Sequence, residues 1–238
     1  MTRLYRKSEW SFALLWIAVY LAGAGLAGMP AAPAGLPFLY PALFHGALAV
    51  FLPAWIRRNG LCEKYGFFLP RYPLSRAWFF LPLWAAAGFP LFFCPALQPS
   101  AAPCFVVSLV CAGFLEELLF RGFLFRALEG AGPRRAVVLS SLAFSLCHLA
   151  NWFGGRPLGE TVLQMVFAAG AGVALAVLFY KGGSLLPCIL FHSLNNALSA
   201  FAAPAVSGAA PASVLLPLAA CLLLLAVYSA WLWRRLEP

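Results

Sequence analysis

P-C-F-V-V-S-L-V-C-A-G-F-L-E-E-L-L-F-R-G-F-L-F-R-A, residues 103–127, is a nearly unbroken apolar run that carries Glu116, Glu117 and Arg121 in its second half. About 20 apolar residues cross the hydrocarbon core of a bilayer, so the run reads as a membrane-spanning helix. Charged groups in that setting are costly, and they persist where they are paired, face a bundle interior or perform chemistry. The chain has seven acidic residues, all of them glutamate. Two adjacent ones at mid-span therefore mark a functional site.

The same apolar texture extends in both directions. Of 238 residues, 63% are hydrophobic and 10% charged, against about 25% charged in a soluble domain, which makes this an integral membrane protein. Candidate spans fall at 10–28, 37–56, 77–97, 103–127, 134–152, 160–180, 184–203 and 213–233. The expected fold is an all-α, polytopic membrane helix bundle of about eight transmembrane helices. A secretory signal would be one short apolar segment ahead of a soluble remainder, so 10–28 reads as a first span. Proline and glycine punctuate the joints, for example at Pro99–Pro103, Gly130–Pro133, Gly154–Pro157 and Gly182–Gly183. No linker or composition break divides residues 1–238, which read as a single transmembrane domain.

Threading these spans places the cations together. Arg3, Arg6, Lys7, Arg57, Arg58, Lys64, Arg71, Arg76, Arg126, Arg134, Arg135, Lys181, Arg234 and Arg235 all fall on one side, while loops 29–36, 98–102 and 204–212 carry no charge. By the positive-inside rule both termini are expected in the cytoplasm, as in a multi-pass protein of the plasma membrane. This asymmetry accounts for the net charge of +9 without a nucleic-acid partner. The lipid bilayer is the expected surrounding, and the oligomeric state is not encoded in any pattern found. The seven cysteines are scattered without C-x-x-C spacing and read as free, small hydrophobes. The loop 57–76 is the one sizeable polar segment, and its Glu63-Lys64-Tyr65-Gly66-Phe67-Phe68 is expected to lie along the interface as an anchor.

Within the spans, polar residues recur at matched depth. Glu117 and Arg121 are four apart and share a helix face, which predicts a neutral pair, and Glu116 points roughly 100° away toward another partner. F-S-L-C-H places Phe144 and His148 on one face of the fifth span, and H-S-L-N-N places His192 and Asn196 on one face of the seventh. At about 1.5 Å per residue, Glu116, His148 and His192 lie roughly 12 to 21 Å deep and share a layer. Such groups on three helices suit hydrolysis: Glu116 accepts a proton from water, His148 orients that water and helps protonate the leaving amine, and His192 with Asn196 donates to the oxyanion. His45 and Gln164 read as packing and hydrogen-bonding residues, Asn151 and Trp152 as outer-interface residues, and Asn195 as a secondary candidate.

Three motifs in order, E-E-x-x-x-R at Glu116, Glu117 and Arg121, F-x-x-x-H at Phe144 and His148, and H-x-x-x-N at His192 and Asn196, closely resemble the CAAX protease and bacteriocin-processing family of intramembrane glutamate proteases. The resemblance covers about 103–203, which is then the catalytic core. It implies that Glu116 is the water-activating glutamate, His148 its partner, His192 and Asn196 the oxyanion pair, and Glu117 with Arg121 their support. It also implies an endopeptidase acting on a membrane-anchored protein or hydrophobic peptide. The short, nearly loopless chain departs from the eukaryotic prenyl-protein processing members and looks more like bacterial relatives that cleave C-terminal sorting tails or leaders. Two other classes compete: a proton-coupled transporter, because intramembrane Glu and His also suit proton relays, and a non-catalytic peptide-binding or immunity protein. No cofactor is expected. The alternative is zinc held by Glu116, His148 and His192, although no H-E-x-x-H helix is present.

Overall fold

The computed structural model describes residues 1–69, 80–88, 102–201 and 211–235. These form nine helices: α1 (Thr2–Lys7), α2 (Glu9–Gly28), α3 (Leu39–Arg58), α4 (Leu81–Ala87), α5 (Pro103–Glu129), α6 (Pro133–Phe153), α7 (Leu158–Gly182), α8 (Leu186–Ala200) and α9 (Pro211–Arg235). Their starts follow the sequence punctuation. Ser8 caps α2 by accepting from Ser11 N at 3.1 Å, and prolines open α5, α6 and α8, where a missing N–H removes no hydrogen bond. Gly183, with φ of 71°, ends α7.

Among the described residues, six helices are long and apolar enough to cross a membrane: α2, α3, α5, α6, α7 and the Leu215–Arg235 part of α9. The protein is therefore an all-α, multi-pass membrane protein. The expected total of eight is not reached within these residues for two reasons. The candidate span 77–97 lies largely outside them, with only 80–88 described. The candidate span 184–203 contains α8, whose 15 residues reach about 22 Å at 1.5 Å each, short of a hydrocarbon core of about 30 Å.

α5 is the centre of the bundle, with α2 and α3 against one side and α6, α7 and α8 against the other. Its Leu118–Phe125 segment is π-helical, and all eight residues are buried. Aromatic rings hold it on several sides. Phe123 meets Phe12 of α2 and Tyr65 at 5.0 Å each, Phe120 meets Phe144 of α6 at 5.3 Å, and Phe125 meets Phe179 of α7 at 5.8 Å. Edge-to-face geometry of this kind adds to the gain from burial.

The loop after α3 packs onto the body of the bundle. Tyr65 is buried, Leu185 N donates to Gly66 O at 2.9 Å, and Ser184 Oγ donates to Phe68 O at 2.6 Å. Gly66 sits at φ +69, where a Cβ would meet Gly183 O at 2.5 Å. Only glycine gives both that conformation and that approach, so the loop is clamped onto the α7–α8 turn. Beside it Lys64 bonds Tyr5 Oη at 3.0 Å and pairs with Glu9 Oε1. Burial lowers the pKa of Lys64, but hydrogen bonds to Glu9 and Tyr5 outweigh it and raise the pKa overall. Arg126 covers the Phe179 ring, and Arg134 and Lys181 both lie over Trp233. Basic helix ends from separate parts of the chain thus meet at one end of the bundle.

Candidate active site

α5 supplies the centre of a buried charge network. Glu117 and Arg121 are one turn apart and fully buried, and Arg121 Nη1 donates to Glu117 Oε1 at 2.8 Å. The π-helical turn begins directly after Glu117, and such irregular turns concentrate at functional sites. The same Oε1 accepts from His192 Nδ1 of α8 at 2.7 Å. Because that nitrogen faces a carboxylate it carries the proton, and the ring turns Nε2 toward Glu116 Oε2 at 3.2 Å. Oε2 is buried and has no hydrogen-bond partner; the two atoms are close but not aligned for a hydrogen bond. The other Glu116 oxygen accepts from Tyr20 Oη of α2 at 2.6 Å.

Phe144 is the spacer of the layer. The Arg121 guanidinium lies 4.3 Å from its ring centroid, and the ring stands edge-on to His192 at 5.4 Å and to His148 at 4.9 Å. A cation over an aromatic face and edge-to-face ring contacts both draw on the quadrupole of the ring. Regular α-helix in α6 stops at Cys147, and His148 occupies the turn that follows. Its Nδ1 contacts Phe144 O at 3.0 Å. A carbonyl only accepts, so Nδ1 carries the proton and Nε2 is the acceptor.

A cavity of about 50 Å³ adjoins this layer, lined by His148, Gln164, His192, Asn195 and Asn196 together with apolar side chains of α6, α7 and α8. At roughly 10–15 Å³ per water, it holds a few water molecules. Asn196 Nδ2 donates to Leu109 O at 3.2 Å, and a primary amide has a second N–H for the cavity. Asn195, which also lines the cavity, donates to Ala87 O at 3.1 Å and ties α8 to α4. Of the six residues singled out in the sequence, Glu116, Glu117, Arg121 and His192 thus form one contact network. His148 and Asn196 face the adjoining cavity, and among the described residues no hydrogen bond joins either to that network.

Residues 98–198 match the family model "Type II CAAX prenyl endopeptidase Rce1-like".

No curated protein and no solved structure matches the chain. The Rce1-like segment contains all three motifs, and with the buried Glu116, Glu117, Arg121 and His192 network it is consistent with a Glu/His-type intramembrane protease site. The zinc alternative does not fit this arrangement. Among the described residues no three His, Cys, Asp or Glu side chains are placed to hold a metal ion. Glu116 and His192 meet each other, while His148 contacts Phe144 and makes no ion pair with either glutamate among the described residues.

Two residues that build the site were missed in the sequence reading. Tyr20 lies outside the Rce1-like segment, and its one signal was a phenol in the middle of a span, when Tyr favours the membrane interfaces. Gly113 sits one turn before Glu116 and Glu117, where a Cβ would fall 2.8 Å from Ser193 N and 2.9 Å from Ser193 Cα. Those are backbone atoms, which cannot swing aside. Gly113 therefore sets the distance at which α8 brings His192 to the glutamates. Gly113→Ala is expected to lower stability by about 1–3 kcal/mol through overpacking, read as a lower unfolding midpoint of the protein in nanodiscs. An unchanged midpoint would show that the two helices can part without loss.

Proposed function

We propose that this protein is an intramembrane endopeptidase that hydrolyses a peptide bond of a membrane-associated protein, using a water activated by Glu116 and His148. The observation that carries the reading is Glu116 Oε2, buried without a hydrogen-bond partner and 3.2 Å from the Nε2 of His192, a residue that together with His148 lines the cavity. A carboxylate oxygen with free lone pairs is what a general base requires.

In this reading Glu116 Oε2 takes a proton from water as the water oxygen bonds to the scissile carbonyl carbon. The carbonyl becomes a tetrahedral oxyanion, which accepts hydrogen bonds from the second N–H of Asn196 and from His192 Nε2 once the proton taken by Glu116 has passed to that nitrogen. The intermediate then collapses, the C–N bond breaks, and the leaving amine receives the proton that Glu116 took, with His148 assisting. Glu116 Oε2 and His192 Nε2 stand 3.2 Å apart, so a small turn of either side chain lets the proton pass between them. Glu117 and Arg121 hold His192 in the orientation this needs.

The catalytic core is residues 103–203, and the substrate is a membrane-anchored protein or hydrophobic peptide whose apolar C-terminal tail or leader lies beside the core. Convergence of the basic helix ends at one end of the bundle supports an orientation with both termini in the cytoplasm, in the plasma membrane. The test is a pool of lipid-anchored peptides with apolar C-terminal tails, incubated with the protein in nanodiscs in heavy-oxygen water with chelator present. Label is expected in one newly formed carboxyl terminus per cut. If no labelled terminus forms, or if it forms only after zinc is returned, this reading fails.

A further inference from the structure

The base of the site is gripped from a helix that the matched segment does not include. Tyr20 lies in α2, is 6% exposed, and donates to Glu116 Oε1 at 2.6 Å. That length falls in the range of about 2.5–2.7 Å for an O–H bonded to an ionised acceptor. Glu116 therefore has one oxygen tied and the other, Oε2, open. An untied carboxylate turns about its terminal bond and offers either oxygen. A base that must meet a proton at one point gains from having that rotation stopped.

The seat of Tyr20 is itself built from three helices. Its ring lies 5.6 Å from the His45 imidazole of α3, and His45 Nδ1 is 2.9 Å from Ser108 Oγ of α5, so His45 has the packing and hydrogen-bonding role its sequence suggested. One turn beyond Tyr20, Gly23 admits the Phe44 ring, whose Cζ would be 2.1 Å from an added Cβ. Phe44 in turn packs 5.5 Å from His45. The phenol is thus wedged between α2, α3 and α5 and aimed at one carboxylate oxygen.

We propose that Tyr20 is a positioning residue for the reaction, fixing Oε1 of Glu116 so that Oε2 is the oxygen that receives the proton. This rests on Glu116 being the base. It makes α2 part of the machinery and gives a reason for a phenol in the middle of an apolar helix.

The experiment compares wild type, Tyr20→Phe and Glu116→Gln in nanodiscs, with tyrosine labelled at Cζ for NMR and the Glu116 carboxyl band identified in infrared spectra by subtracting Glu116→Gln. One tyrosine resonance, absent from Tyr20→Phe, is expected to move in Glu116→Gln, and the Glu116 band is expected to shift in Tyr20→Phe. On the lipid-anchored peptide pool, kcat for Tyr20→Phe is expected to fall by up to about 100-fold, the scale of a misplaced reacting group, with KM nearly unchanged. Loss of cleavage in Glu116→Gln, with band and kcat unchanged in Tyr20→Phe, overturns the role of Tyr20 alone. Cleavage by Glu116→Gln at the wild-type rate overturns the reading of Glu116 as base and this inference with it. If Tyr20→Phe does not fold, the tyrosine spectrum of Glu116→Gln decides, and no moving resonance refutes the contact.

Discussion

Glu116→Gln is expected to reduce hydrolysis of the lipid-anchored peptides by about 10²–10⁴-fold, the usual contribution of a positioned general base, while the fold is retained. Glutamine has the same size and still accepts from Tyr20 through its amide oxygen. It lacks the lone pairs that take a proton at the Oε2 position, and an NH₂ there faces His192 Nε2 as a donor. The loss should therefore appear in kcat, with KM close to wild type, because only the transition state has been deprived of an interaction. Cleavage products quantified by mass spectrometry against time give both constants. A variant that cuts at the wild-type rate would remove Glu116 from the chemistry.

Arg121→Met should lower stability by about 3–5 kcal/mol, the scale for removing one partner of a buried ion pair. Glu117 and Arg121 are both 0% exposed, and Glu117 Oε1 also accepts from His192. Without the guanidinium the carboxylate keeps one imidazole N–H and loses its neutralising charge, and Phe144 loses the cation on its face. Replacing both partners is a different matter, since an apolar pair of similar volume is often as stable as the ion pair. The double variant Glu117→Met with Arg121→Met is therefore expected to recover most of the lost stability but not the placement of His192. Denaturant unfolding in detergent micelles measures both. A loss below about 1 kcal/mol in the single variant would mean that the charge is compensated by groups outside this network.

The contrast between His192 and His148 shows what linear spacing can and cannot carry. Both histidines were legible as mid-span polar residues four positions from a second marker, and depth counting brought both to the level of Glu116. Yet His192 is in the network at 2.7 Å from Glu117, while His148, in the turn that follows Cys147, packs edge-to-face with Phe144 and bonds its carbonyl oxygen. Counting residues along a helix gives height; it does not give rotation about the neighbouring helix, nor the point where a helix loses its regular turn. The loop containing Tyr65 and Gly66 divides in the same way. Its amphipathic composition suits an interface, but the approach of Gly66 to the α7–α8 turn depends on two backbones meeting.

Membrane character, the all-α class and the Glu117–Arg121 pair follow from the amino-acid order, because hydrophobic length, charge asymmetry and i,i+4 contacts are local and need no partner from elsewhere in the chain. The three motifs are legible for the same reason, each lying within one helix. How they combine is tertiary. Tyr20 reaches Glu116 across 96 positions, and Gly113 matters only because the backbone of Ser193 arrives against it. Contacts of that kind are set by the packing of whole helices, in which close approach is permitted at small residues and excluded elsewhere. The pattern of side chains along one helix does not contain them.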